Sequence, residues 1–316
     1  MARNLGIDRL MKKALRHDRR AVSQLMSMAE NDAHARIDIL AKLYWRGMET
    51  DIVGITGPPG CGKSTLIAQL AKHYRKSAES VGIVAVDPSS QITGGALLGD
   101  RIRMNDLAAD KGVFIRSMAT RGHFGGIARA TEDAVRILAA TSTERVIVET
   151  AGAGQSDVDI KALADTTIVV TAPGLGDEIQ ALKAGIMEIG DIFVVNKADR
   201  ENANQTAQEI YSTVTMTHRV GGWQPRVLKT VATSGEGVEA LGKAIEQHAA
   251  YLQTTTAPSS GKDEIRKDII EAVRQYFDDV KLKEMQSSVE FRRALARVEA
   301  RRIDPYTAAR RLVEGN

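Results

Sequence analysis

The stretch of this 316-residue chain whose residue types and spacing most plainly do chemistry is Gly57-Pro58-Pro59-Gly60-Cys61-Gly62-Lys63-Ser64. It fits G-x-x-x-x-G-K-[ST], follows the β-branched run DIVGIT and opens the helical run STLIAQLAKHY, the context in which that spacing cradles phosphate. Small residues are needed because backbone N–H groups must wrap an anion closely, and the positive end of the next helix points at the same anion. Lys63 then reaches the β- and γ-phosphates, Ser64 ligates Mg²⁺, and the loop as a whole runs from Gly57 to Thr65. Cys61 stands at a variable position of the motif and reads as a small space-filling residue, not as a redox centre.

A second cluster, Asn196-Lys197-Ala198-Asp199, closes the run DIFVV, at the strand end where ligands bind an open parallel sheet. A carboxylate there accepts hydrogen bonds from guanine N1–H and N2–H₂, which adenine does not offer, so GTP is expected over ATP. The next strand ends in Thr230-Val231-Ala232-Thr233-Ser234, expected to bring the N–H groups of Ala232, Thr233 and Ser234 against guanine O6.

Between these anchors lie loops that a γ-phosphate could order. One runs from Asp87 to Asp100, with Asp87 ending a strand and Asp100 able to swing toward Mg²⁺; another is Glu149-Thr150-Ala151-Gly152-Ala153-Gly154-Gln155-Ser156-Asp157. Glu149 ends RVIVE as the better metal candidate, and Gly152 offers an N–H to the γ-phosphate. The competing role for each acid is a helix N-cap or a solvated loop position. Ala153 stands where Ras-like GTPases carry the glutamine that orients the attacking water, so slow intrinsic hydrolysis is expected, with Lys63, Glu149 and Gly152 as the catalytic set.

The elements that must hold these loops are legible. Apolar residues recur at helical spacing from Ile7 to Tyr44, predicting two or three short packed helices. From Asp51 the runs DIVGITG, VGIVAVD, GVFIRSM, RVIVET, TTIVVTAP, DIFVVNKAD and RVLKTVAT alternate with helical stretches, which predicts an α/β fold: a mainly parallel sheet with helices on both faces. The linker-like TTTAPSSG separates this from a helical C-terminus. The expected division is 1–48 helical, 49–253 nucleotide domain, and 254–316 linker and helical arm. Net charge is +3 with interleaved signs, so a nucleic-acid partner is not indicated. The single cysteine argues for a reducing compartment, and no apolar run approaches the ~20 residues of a membrane span. The basic N-terminus resembles a mitochondrial presequence, but Asp8 and Asp18 interrupt it; a folded helix and a cytoplasmic location are expected.

Taken together, GPPGCGKST, VAVDPSS, TGGALLGDRIRM, FIRSMATRGHFGG, VETAGAGQSD, TAPGLGDEIQALKAGI and VVNKAD resemble the MeaB/ArgK family of P-loop GTPases, from about Asp51 to Ser234. The resemblance implies a homodimeric metallochaperone that binds GTP and GDP, gates cofactor delivery to an adenosylcobalamin-dependent acyl-CoA mutase, and protects or restores that mutase. It places the family's Mg²⁺-associated acids on Asp87, Asp100 and Glu149, and its guanine-reading residues on Asn196, Lys197 and Asp199. It also places a mutase-facing third switch on 174–183, with Asp177, Glu178 and Lys183 as the residues to test, and dimerisation on the arm after Gly261.

The family's usual E-T-V-G-V-G-Q-S-E carries alanines here at 151 and 153 and ends in Asp157, and its usual S-P-S-S-R-G-x-L-G-G has become Ser117 to Gly126. These departures bear on partner matching, and a mutase acting on a branched or hydroxylated acyl-CoA is the expectation. The runner-up reading is a metal-insertion GTPase or a transport-system kinase. The six scattered histidines disfavour a metal carrier, and the guanine motif disfavours an ATP-dependent kinase.

Overall fold

The computed structural model describes residues 2–47, 49–87, 105–119, 129–141, 143–150, 152, 158–175, 185–217, 222–255 and 261–314. The strands are β1 (Asp51–Thr56), β2 (Val81–Asp87), β3 (Val113–Ala119), β4 (Arg145–Glu149), β5 (Thr166–Thr171), β6 (Ile192–Val195) and β7 (Arg226–Lys229). They form one sheet in the order β3-β2-β4-β1-β5-β6-β7, with every pairing parallel. All strands therefore end on the same edge, and the loops leaving β1, β4, β6 and β7 share it.

The longer helices are α1 (Ala2–Ala14), α2 (Arg19–Asn31), α3 (Ala33–Leu43), α4 (Lys63–Lys76), α5 (Arg129–Ala140), α6 (Ala203–Thr217) and α7 (Val238–Thr255). Beyond them come α8 (Gly261–Tyr276), α9 (Val289–Glu299) and α10 (Pro305–Glu314). Strand alternation sorts the core into two faces. Val53, Ile55, Ile83 and Ile147 pack with Leu66, Ile67 and Leu70 of α4 and with Leu241 and Ile245 of α7. Val84, Val146 and Val148 face the other way, onto Ile137 and Leu138 of α5 and onto Leu25 and Ile39 of the N-terminal helices. Burial on both faces explains why these strands read as continuous apolar runs.

The N-terminal pattern resolves into three helices, and the two acids at their joints act as caps. Asp18 accepts from the N–H groups of Arg20 and Ala21 at 2.9 and 3.1 Å, and Asp32 from those of His34 and Ala35 at 3.0 Å each. Each contact satisfies a helix-start donor that would otherwise lack a partner within the helix.

The C-terminal arm meets this body through polar groups. α8 passes into a π-helical turn, Phe277–Lys281, that buries Val280 and presents Asp279. Arg36 of α3 sits at the centre of the junction: it donates to Asp133 of α5 at 2.6 and 3.1 Å, to Gln275 at 2.7 Å and to Asp279 at 3.3 Å. Arg129 adds a 2.6 Å contact to Asp279, and the Tyr44 hydroxyl donates to Asp268 at 2.5 Å. Burial pushes the Asp133 carboxyl above its usual range, against the pull of Arg36.

Candidate functional site

The loop after β1 is built from backbone geometry that side chains would block. Gly57 has φ +142°, and a Cβ there would stand 1.9 Å from the Val170 carbonyl oxygen of β5. Gly62 has φ +100°, and a Cβ there would lie 2.3 Å from Asn196 Nδ2. Both positions demand glycine, one to let the loop pass β5 and one to let α4 start beneath Asn196. α4 begins at Lys63, so its N-terminal N–H groups and positive dipole end face the loop. The buried Lys63 Nζ donates to the carbonyls of Gly57 and Pro58 at 2.7 and 3.3 Å, which keeps an ammonium inside the turn of the loop. Cys61 is fully buried in the α4-side core, and burial pushes its thiol pKa up, so it remains a neutral space-filling group.

The end of β4 is fastened to the same loop. Ile55 and Glu149 are register partners, and alternation turns Glu149 toward α4 with Ile147. There the Ser64 hydroxyl donates to Glu149 Oε1 at 2.7 Å, with both residues buried. Gly152 has φ +73°, and a Cβ on it would fall 2.5 Å from the Gly57 oxygen and 2.6 Å from Lys63 Nζ. The structure thus brings Lys63, Ser64, Glu149 and Gly152 together around one spot at the start of α4. A buried carboxylate and hydroxyl beside a confined ammonium can bind a hard cation and polyphosphate oxygens at once.

Asn196, directly after β6, is a connector. Its Nδ2 donates to the Cys61 carbonyl at 2.9 Å, while its Oδ1 accepts from the Ala232 N–H at 3.0 Å and the Thr230 hydroxyl at 3.1 Å. One buried amide thus ties the phosphate loop, β6 and the loop after β7. Lys197, at φ +55°, lays its Nζ on the Gly60 carbonyl at 2.6 Å. Asp199 is exposed beside them, as are Thr233 and Ser234. The Ala232 N–H is turned inward to Asn196, and the Ser234 N–H donates to the Val231 carbonyl at 3.1 Å, so of this loop's predicted donors Thr233 faces outward most simply.

Asp87 ends β2, its backbone paired with Ala119 of β3. Asp100, Ala153, Asp177, Glu178 and Lys183 lie outside the described residues. Three hydroxyl residues that hold the site were not singled out from the chain alone: Thr230, which supports Asn196, and the pair Thr56 and Thr150, whose hydroxyls meet at 2.9 Å. Their roles depend on which strands are neighbours, which local sequence does not display.

The profile of the family described as methylmalonyl-CoA mutase-associated GTPase MeaB matches residues 19–288. A protein of Pyrococcus horikoshii named as a GTPase is 46% identical over 314 residues, covering 98% of each chain. GTPase ArgK of Escherichia coli is 32% identical over 271 residues, covering 83% of this chain and 81% of its own. Among solved structures, a LAO/AO transport system kinase superposes with a TM-score of 0.69 at 24% identity, over 98% of this chain and 96% of that one, which speaks for the fold alone. A phosphate loop and a guanine-type motif tied together on the edge of a parallel sheet, together with these matches, show that the chain belongs to the MeaB family of GTPases.

Proposed function

We propose that this GTPase binds GTP and GDP with Mg²⁺, hydrolyses GTP slowly, and serves as a chaperone that gates cofactor loading of an adenosylcobalamin-dependent acyl-CoA mutase and protects or reactivates it. The observation that carries the nucleotide part is the convergence of Lys63, Ser64, Glu149 and Gly152, tied by Asn196 to the turn after β6 that bears Asp199. Family membership carries the mutase part.

Magnesium fits the residues present, because Ser64 Oγ and Glu149 Oε1 are hard oxygen donors 2.7 Å apart in a buried position. Ser64 and Glu149 would hold it, with Asp87 and Asp100 as further acids, and the ion would supply charge neutralisation on the phosphate oxygens. The chain's own groups do the rest. The loop 57–65 orients the triphosphate through its N–H groups and the start of α4, and Lys63 adds fixed positive charge. Gly152 lies against the loop where its N–H meets the terminal phosphate. Asp199 selects guanine by accepting from N1–H and N2–H₂, and Thr233 and Ser234 face the same base.

The dimer arm is the segment after Gly261. Ile265, Ile269, Ile270, Val273, Tyr276 and Phe277 are exposed along α8 and its π turn, an apolar stripe of the kind a second copy covers. The mutase contact falls on the third switch with Asp177, Glu178 and Lys183, and the alanines at 151 and 153 point to a mutase for a branched or hydroxylated acyl-CoA. We place the protein in the cytoplasm; among the described residues no helix is long and apolar enough to cross a membrane.

The test is reconstitution. The purified protein is mixed with adenosylcobalamin-dependent acyl-CoA mutases of different substrate class, and cofactor transfer is followed with GTP, GDP or no nucleotide. Nucleotide-dependent loading of one mutase is expected. Loading that ignores nucleotide removes the gating role, and response from a methylmalonyl-CoA mutase alone contradicts the branched or hydroxylated substrate class.

A further inference from the structure

Thr56 and Thr150 face each other where two functional loops leave the sheet. Thr56 is the last residue of β1, directly before Gly57, and Thr150 directly follows Glu149. The β1–β4 register pairs Ile55 with Glu149, so the next residues, Thr56 and Thr150, are opposite one another. The Thr150 N–H continues the ladder to the Ile55 carbonyl at 3.0 Å, and its hydroxyl donates to the Thr56 hydroxyl at 2.9 Å. Both residues are buried, at 0% and 3% exposure.

Alternation makes this contact complementary to the metal-side one. Glu149 points to the α4 face and meets Ser64, whereas Thr56 and Thr150 occupy the opposite face. The residues that open the 149–157 loop are therefore pinned on both faces of the sheet, Glu149 to Ser64 at the start of α4 on one face and Thr150 to Thr56 at the end of β1 on the other. Each pinning side chain on the second face is β-branched and stiff at χ1, so its oxygen position fixes the backbone that carries it. A valine at either position would fill the same volume without a directional link.

We propose that Thr56 and Thr150 are a positioning pair for the hydrolytic reaction. Their hydroxyl contact holds Glu149 on Ser64 and Gly152 over Gly57, so that rearrangement on binding the γ-phosphate begins beyond residue 150 and not within β4. Neither hydroxyl touches the nucleotide; both act through the residues beside them. This inference rests on the nucleotide-site reading above.

The experiment is a double-mutant cycle on the full-length protein with Thr56→Val, Thr150→Val and the pair, read by steady-state GTP hydrolysis across a Mg²⁺ titration. Each valine is expected to lower kcat roughly fivefold, the scale of one lost buried hydrogen bond, and to raise the Mg²⁺ needed for half-maximal rate, with the GTP KM changed by less than about twofold. The double variant should be no worse than the poorer single one, since both remove the same contact. Thr150→Ser, which keeps the hydroxyl but not the branched carbon, should retain most of the rate that Thr150→Val loses. Additive losses, a serine variant as impaired as the valine, or valine variants with unchanged kcat and Mg²⁺ requirement would overturn the proposal. Thermal melts identify any valine variant that does not fold, and alanine at the same position then takes its place in the cycle. Wild-type and Lys63→Ala controls separate the two levels: a wild type with no GTP hydrolysis overturns the underlying reading, whereas normal wild-type hydrolysis with independent threonine effects overturns only the pair.

Discussion

The side chain of Asn196 donates to the main-chain carbonyl of Cys61 at 2.9 Å, across 135 residues of sequence. Its oxygen is held at the same time by Ala232 and Thr230. The loop after β1 and the segment after β6 that carries Asp199 are consequently mechanically joined: neither shifts without pulling on the other.

Asn196→Ala removes this amide and leaves the buried Ala232 N–H and Cys61 carbonyl without it. A loss of stability of about 1–3 kcal/mol is expected, with weaker GTP binding. Urea denaturation and calorimetric titration measure the two effects, and a variant unchanged in both would show that the connection carries no energy.

Gly62→Ala places a methyl group 2.3 Å from Asn196 Nδ2, at φ +100°. Strain and displacement of Asn196 should together cost at least ~1–3 kcal/mol and abolish tight nucleotide binding. Gly60→Ala is the comparison: φ is +76° there but nothing stands within 4 Å of a Cβ, so only the backbone strain applies. Equal losses in the two variants would mean that the contact with Asn196 is irrelevant.

Glu149→Gln keeps the shape of the side chain beside Ser64 and removes its charge. The expected outcome is a higher Mg²⁺ requirement and a slower hydrolysis step, with the protein folded and still retaining GDP. Hydrolysis measured against Mg²⁺ concentration decides it; a wild-type Mg²⁺ curve would take Glu149 out of the metal site.

Arg36 holds Asp133, and through Gln275 and Asp279 it holds the arm. Arg36→Ala leaves Asp133 buried without its guanidinium, which should destabilise the protein by roughly 3–5 kcal/mol. It should also speed limited proteolysis between α7 and α9, and unchanged cleavage would show that the arm is held by other contacts.

His248 is buried between Trp223 and Tyr251, with Nδ1 2.8 Å from the Thr166 hydroxyl and Nε2 3.7 Å from Asp191 Oδ1. Burial lowers its pKa below the usual 6.5, against the pull of Asp191. For a base whose folded pKa is depressed, the contribution to stability is fully present above the unfolded value and is lost as pH falls below it, because the unfolded chain then binds the extra proton. Unfolding midpoints should therefore drop as pH falls below about 6.5, and His248→Phe should flatten that part of the curve. An identical pH profile for the variant would rule His248 out as the source.

Much of this architecture is legible in the sequence. The seven β-branched runs are the seven strands, burial on both faces leaves a continuous apolar signal in the inner strands β1, β4, β5 and β6, and the helical periodicity at the N-terminus resolves into three helices. Asp18 stood out only as an interruption of a presequence-like pattern, yet it caps α2. The phosphate loop was legible because its glycines and lysine are consecutive. Asn196 was legible as part of a motif, but its partners were not: Cys61, Thr230 and Ala232 become its neighbours only through the order β1-β5-β6-β7. The same limit hid Thr56 with Thr150, and Arg36 with Asp133 and Asp279, because long-range side-chain pairing leaves no periodicity in a sequence.

The most direct test of the nucleotide site is calorimetric titration of the protein with GTP, ATP and xanthosine triphosphate in the presence of Mg²⁺, on the wild type and on Asp199→Asn. Wild-type protein should prefer GTP over ATP by about a hundredfold or more, since adenine leaves the Asp199 carboxylate without its donors. The amide variant should move that preference toward xanthine, which offers a carbonyl where guanine has an amino group. Equal affinity of the wild type for GTP and ATP would contradict the account.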